Sequence, residues 1–157
     1  MEKFIVLAGS PNSGKTISVN LAINKLISNG FKVNSYFNDN SKNNFWSFLD
    51  KNGIPSKKSG SIVLEKEGKK IVLISYGDSP DSLKNIFNQI NFNEYHIVIC
   101  CSHATKGKSV FKFFHAIIGT LDLNQTQVIP IYKNLLSNHN NETQENEQIA
   151  NLIISLL

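Results

Sequence analysis

Apolar positions along the chain follow two rhythms, short unbroken runs and stripes at helical spacing, and the two alternate almost from end to end. "KFIVLAG" (3–9) is an unbroken run that stops at glycine, as expected of a strand covered on both faces. In "TISVNLAINKLISNG" (16–30), Val19, Ile23, Leu26 and Ile27 fall on one face of a helix that Gly30 is placed to end. "FKVNSYF" (31–37) predicts a second strand, and the strand–helix–strand lengths suit a parallel, right-handed crossover. The pattern then fades. "NDNSKNN" (38–44) reads as loop, "FWSFLD" (45–50) fits a short helix, and "KNGIPSKKSG" (51–60) reads as loop again.

Beyond residue 60 the alternation resumes. "SIVLEKEGKKIVLIS" (61–75) holds two β-rich runs around Glu67-Gly68, an acidic-Gly pair suited to a two-residue hairpin turn, with the second arm expected deeper in the sheet. "GDSPDSLKNIFNQI" (77–90) carries helix-start chemistry in Ser79, Pro80 and Asp81, and Leu83, Ile86, Phe87 and Ile90 form its apolar face. A strand at 95–101 follows, then a helix at 108–121 and a strand at 126–132. The closing helix is acidic at its start and apolar at Ile149, Leu152, Ile153 and Leu156. Strands alternating with helices predict a three-layer α/β domain over residues 1–157, its sheet mainly parallel with one antiparallel hairpin arm.

Composition narrows the function classes. With 41% hydrophobic and 18% charged residues, the 157-residue chain suits one soluble globular domain. No stretch reaches the ~18 apolar residues of a membrane span, and the N-terminus has no signal-peptide pattern, so the expected compartment is the cytoplasm. The adjacent Cys100 and Cys101 lie in an apolar run, face opposite sides if that run is a strand, and read as buried free thiols rather than a metal site. Net charge is +4, and all 16 basic residues are lysine. The lysines are scattered rather than gathered in a stripe, which gives little support to a nucleic-acid partner.

The chemistry concentrates in Gly9-Ser10-Pro11-Asn12-Ser13-Gly14-Lys15-Thr16, which matches G-x-x-x-x-G-K-[ST] between a strand and a helix. Glycines let the backbone wrap an anion closely, and successive amides from Gly9, Ser10, Asn12, Ser13 and Gly14 through Lys15, Thr16 and Ile17 can converge on phosphate oxygens at a helix start. Lys15 adds a full charge, and Thr16 offers a hydroxyl to Mg²⁺.

On these residues the chain resembles the P-loop NTPase superfamily. The resemblance rests on eight residues and the element order behind them, so it implies a Mg²⁺–nucleoside-triphosphate site at the C-terminal edge of the sheet without naming an activity. It also implies an acid at the end of another strand, holding the metal's water shell. Asp78, beyond "KKIVLIS", is the candidate, although Tyr76 and Gly77 separate it from the run. The rival is Asp39, where similar kinases keep a substrate-binding carboxylate.

"CCSHATKGKS" (100–109) lies beyond the next strand, with His103 as a possible base. Lys106 and Lys108 are substitutes there for the absent arginine, Lys106 being the candidate for stabilising transferred charge. "IPIYKNL" offers Lys133 and Asn134 where guanine readers carry N-K-x-D, but no aspartate follows, so ATP is favoured over GTP.

The leading expectation is hydrolysis or transfer of the γ-phosphoryl group. Without arginine or a lid insertion, a plain NTPase stands ahead of a small-molecule or nucleotide kinase. A nucleotide-dependent switch is the non-catalytic alternative, its partner surface the segment 38–60 with Phe45, Trp46 and Phe48. Those aromatics also suit a simple plug at the edge of the core. An arginine-dependent ring motor on nucleic acid fits poorly.

Overall fold

A computed structural model describes residues 1–37, 47–76, 85–103, 117–133 and 141–157. Its frame is one six-stranded sheet in the order β2-β3-β4-β5-β1-β6. The strands are β1 (Lys3–Gly9), β2 (Lys32–Tyr36), β3 (Ser61–Lys66), β4 (Lys69–Ile74), β5 (Ile97–His103) and β6 (Gln127–Lys133). Helix α1 spans Lys15–Ser28 and helix α2 Glu142–Ser155. Residues 85–87 and 117–120 are also helical, and a 3-10 turn covers Phe92–Glu94. No helix among the described residues is long and apolar enough to cross a membrane.

β4, β5, β1 and β6 pair in parallel, whereas β3 runs antiparallel to both of its neighbours. The hairpin turn is the one the sequence predicts. Glu67 and Gly68 both take positive φ, 52° and 80°, which matches the right-handed twist of the flanking strands. The second arm, β4, lies deeper in the sheet than β3, as expected, and both arms are buried over four residues.

The strand after α1 exists but does not neighbour β1. It forms the sheet edge beyond β3, with all five residues exposed, because "KVNSY" has too few apolar positions for a central place. At the opposite edge β6 carries an exposed Pro130, tolerable where one side of a strand has no ladder to feed.

Two apolar clusters lie on opposite faces of the sheet. Ile5, Leu7, Ile71, Leu73 and Ile99 point to one side, under α1 and α2. Phe4, Val6, Val72, Ile74 and Val98 point to the other, under Ile86, Phe87 and Ile90. The alternation along β5 sends Cys101 to the first cluster and Cys100 to the second, both as free buried thiols. Three buried side chains of α1, Val19, Ile23 and Leu26, contribute about 5–9 kcal/mol of gross apolar burial, which offsets part of the entropy of ordering the helix.

Two local expectations are corrected. The described part of "FWSFLD" is not helical. Leu49 bridges to Pro55 instead, around a turn in which Asp50 Oδ1 accepts the Asn52 and Ile54 amides at 2.8 and 3.0 Å. An Asp that captures local amides in this way competes with helix formation. In α2 the buried positions are Asn146, Ala150 and Ile153, while Leu152 is 43% exposed. Ile149, Ile153 and Leu156 pack on the core as expected, whereas Leu152 falls outside that face and Asn146 stands on it, against the loop that precedes α1.

Candidate functional site

Five residues, Ser10–Gly14, carry the chain from the end of β1 to the start of α1. Left-handed conformations at Asn12 (φ 60°) and Gly14 (φ 80°) allow so tight a reversal, and the Ser13 amide donates to Ser10 O at 3.3 Å across it. Asparagine and glycine tolerate that region best. Gly14 is the N-cap of α1 and brings no side chain to its first turn; the Ser18 amide makes the first intrahelical bond, to Gly14 O at 3.0 Å. The partial positive charge of the helix start therefore faces the loop with no acidic side chain in that turn.

Both glycines are also required by the protein around them. A Cβ on Gly9 would lie 2.1 Å from the Lys133 carbonyl oxygen and 2.8 Å from Ser13 Oγ. On Gly14 it would lie 2.5 Å from Asn146 Oδ1. The sequence explains these glycines by approach to an anion; the structure adds close packing against the β6–α2 unit.

Four side chains give the loop its chemistry. Ser10 Oγ and Ser13 Oγ are buried and have no hydrogen-bond partner among the described residues. Lys15 is 5% exposed, and its ammonium donates to Ser10 O at 2.8 Å and Gly9 O at 3.3 Å. Thr16 Oγ1 donates to Ser75 O at 3.1 Å, across to the end of β4. Ser75 is itself fixed, since its hydroxyl accepts from the Gly60 amide at 2.8 Å and donates to Gly60 O at 3.1 Å. A threonine hydroxyl that gives its hydrogen to a carbonyl keeps its lone pairs for a cation.

The register brings three strand ends to one level. Gly9 pairs with His103 of β5 and with Lys133 of β6, so both strands finish beside the loop. Ser102 is buried there, opposite Ala8. Asp78, Asp39, Lys106 and Lys108 lie outside the described residues; in sequence, Asp78 follows Ser75 by three residues and Lys106 follows His103 by three. Among the described residues no group of three or more His, Cys, Asp or Glu side chains could hold a metal ion. Of the loop residues, Ser10, Ser13, Lys15 and Thr16 direct polar side-chain atoms inward or across the strand ends, whereas Asn12 is exposed and Ile17 half-buried. Burial, and after it the neighbouring Cys101, pushes the Cys100 thiol well above its ordinary range, which disfavours the nucleophilic thiolate there.

The sequence reading misses a second group of polar residues behind the loop. Lys133 has a fully buried side chain whose ammonium lies 3.1 Å from Glu145 Oε2, as a charge contact without hydrogen-bond alignment. Asn146 Oδ1 accepts from Ser18 Oγ at 3.1 Å, and the same hydroxyl contacts Gly14 O at 3.0 Å. A signal was available: Asn146, Ala150 and Ile153 share one helical face, a stripe in which a polar residue stands at an inward position. Comparison of the chain with protein-family models, with curated proteins and with solved structures found no match.

Proposed function

We propose that this chain has a P-loop NTPase fold and binds a nucleoside triphosphate with Mg²⁺, ATP in preference to GTP, in order to hydrolyse or transfer its γ-phosphoryl group. The observation that carries this is the pair of buried hydroxyls without partners among the described residues, Ser10 Oγ and Ser13 Oγ, in the loop that leads into the buried Lys15 at the start of α1. A buried hydroxyl left unpaired costs about 1–3 kcal/mol. A phosphate group offers acceptor oxygens for both and an opposite charge for Lys15.

In this arrangement the loop binds and orients, and Lys15 neutralises charge on the β- and γ-phosphates. Thr16, anchored on Ser75 O, is the protein's hydroxyl ligand for the cation. Mg²⁺, held with the help of Thr16, would supply neutralisation of phosphate charge. Asp78 is the proposed acid for its water shell and Lys106 the proposed cation for transferred charge, in a chain whose basic residues are all lysine.

The test is calorimetric titration with Mg–ATP and Mg–GTP, with phosphate release measured on the same protein. Saturable binding, tighter for ATP and weakened at least about tenfold by Lys15→Ala, is expected, because that change removes a charged contact to phosphate. Absence of saturable binding in the unaltered protein overturns the proposal. Binding without turnover moves the assignment from NTPase to nucleotide-dependent binding module.

A further inference from the structure

The two glycines of the G-x-x-x-x-G-K-T stretch are both touched by one unit, the end of β6 together with the N-terminal part of α2. Lys133 O sits where a Cβ on Gly9 would go, and Asn146 Oδ1 sits where a Cβ on Gly14 would go. The loop is gripped at its entry and at its exit. The unit is also tied within itself, since the buried Lys133 ammonium faces Glu145, the residue before Asn146.

Asn146 is 4% exposed, and the residue type matters. Its carboxamide oxygen and the Gly14 carbonyl share the one Ser18 hydroxyl hydrogen, at 3.1 and 3.0 Å, so α2 and the residue holding the left-handed turn of the loop meet at a common donor. Gly14 takes that φ without strain, and because a glycine can take many others, packing around it selects this one. An apolar side chain at 146 would satisfy packing but leave the Ser18 hydroxyl with Gly14 alone.

We infer that Asn146 is a positioning residue: with the Lys133–Glu145 pair it holds the phosphate-binding loop in its anion-receiving shape, so that nucleotide affinity depends on the docking of α2. This rests on the nucleotide reading above. A loop shaped before its ligand arrives loses less freedom on binding, and that difference appears as affinity. By linkage the dependence runs both ways: bound nucleotide tightens the seat of α2, and loosening α2 weakens nucleotide.

Asn146→Ala is the direct test, with Ser18→Ala and the double variant completing a cycle. Glu147→Gln is the control, because Glu147 pairs with Lys25 on the outer surface of the same two helices. Each protein is titrated with Mg–ATP at a temperature where circular dichroism shows it folded, and amide exchange of residues 10–18 is followed without nucleotide. Asn146→Ala is expected to weaken Mg–ATP about fivefold to tenfold, roughly the effect of one hydrogen bond of lost preorganisation.

The single changes are expected not to add, KM to rise with kcat retained, and loop exchange to quicken. Mg–ATP is expected to slow exchange in residues 142–155 of the unaltered protein. Glu147→Gln is expected to change none of these. A purely structural asparagine would lower the melting temperature yet leave the affinity of the folded protein unchanged, and that result overturns the inference. Unchanged loop exchange in Asn146→Ala overturns it without reference to nucleotide. Failure of the unaltered protein to bind Mg–ATP removes the nucleotide reading instead, and the affinity claim with it.

Discussion

Replacing Glu145 by glutamine removes the counter-charge of an ammonium that cannot reach water. The Lys133 side chain has 0% exposure and that of Glu145 23%, with 3.1 Å between their charged atoms. Removing one partner of a buried pair costs about 3–5 kcal/mol, because the remaining charge stays desolvated. The partial exposure of Glu145 lets water take up some of that loss, which places the expected destabilisation near 3 kcal/mol. In a chain of this size that corresponds to a fall in Tm of roughly 6–12 °C.

Lys133→Met in the Glu145→Gln background removes the stranded charge. The double variant is expected within about 1 kcal/mol of the parent, or above it, since apolar replacement of buried pairs is often neutral or stabilising. Urea unfolding followed by circular dichroism, on the parent, both single variants and the double, gives the coupling energy directly. Two outcomes refute the reasoning. Glu145→Gln within about 0.5 kcal/mol of the parent would mean that the ammonium finds another partner. A double variant no more stable than Glu145→Gln would mean that the charge was never the source of the cost.

Other perturbations test separate parts of the molecule. Gly9→Ala places a methyl group 2.1 Å from a main-chain oxygen, more than about 1 Å inside an ordinary carbon–oxygen contact, and is expected to cost ~2–3 kcal/mol in urea unfolding. A cost near zero would contradict the packing of β6 on the loop. Thr16→Ala is expected to retain nucleotide binding but lose most of its enhancement by Mg²⁺, read from titrations with the metal and with a chelator, while Thr16→Ser keeps it. Glu67→Gly relieves a side chain held at φ 52° in the hairpin turn and is expected to add about 0.5–1 kcal/mol of stability.

The raised pKa of Cys100 gives a pH dependence of definite sign. Below the ordinary thiol range both states keep the proton and stability is flat. Above about pH 8.5 the unfolded chain releases it first, so stability falls by up to ~1.4 kcal/mol per pH unit until the folded thiol titrates. Cys100→Ala is expected to flatten that limb of the profile, and a slope unchanged in the variant would reassign it to other groups.

Local chemistry along the chain determines a good deal of this protein. Unbroken apolar runs mark β1, β4 and β5, helical spacing marks α1, and Glu67-Gly68 marks the hairpin. Gly9 to Thr16 marks a phosphate-binding pattern whose loop lies between a buried strand and a helix, as its spacing requires. Each is a property of a few consecutive residues, because turn sterics and side-chain periodicity act over one or two turns of chain. The order β2-β3-β4-β5-β1-β6 is different in kind: it comes from pairing between segments far apart, and equal apolar runs carry no mark of which will be neighbours.

For the same reason the place of Leu152 in α2 eluded the helical pattern. Leu152 and Ile153 are equally apolar, yet only Ile153 is buried, on the face where Asn146 meets Gly14 and Ser18, more than a hundred residues away. Lys133 stands in sequence just past the expected strand 126–132, where guanine readers carry N-K-x-D. Only the fold, by bringing Glu145 to the end of β6, makes it a fully buried cation. The sequence thus determined the tight strand-to-helix loop and its glycines, and the tertiary structure decided what packs against them, because contacts made across the chain are invisible to any local pattern.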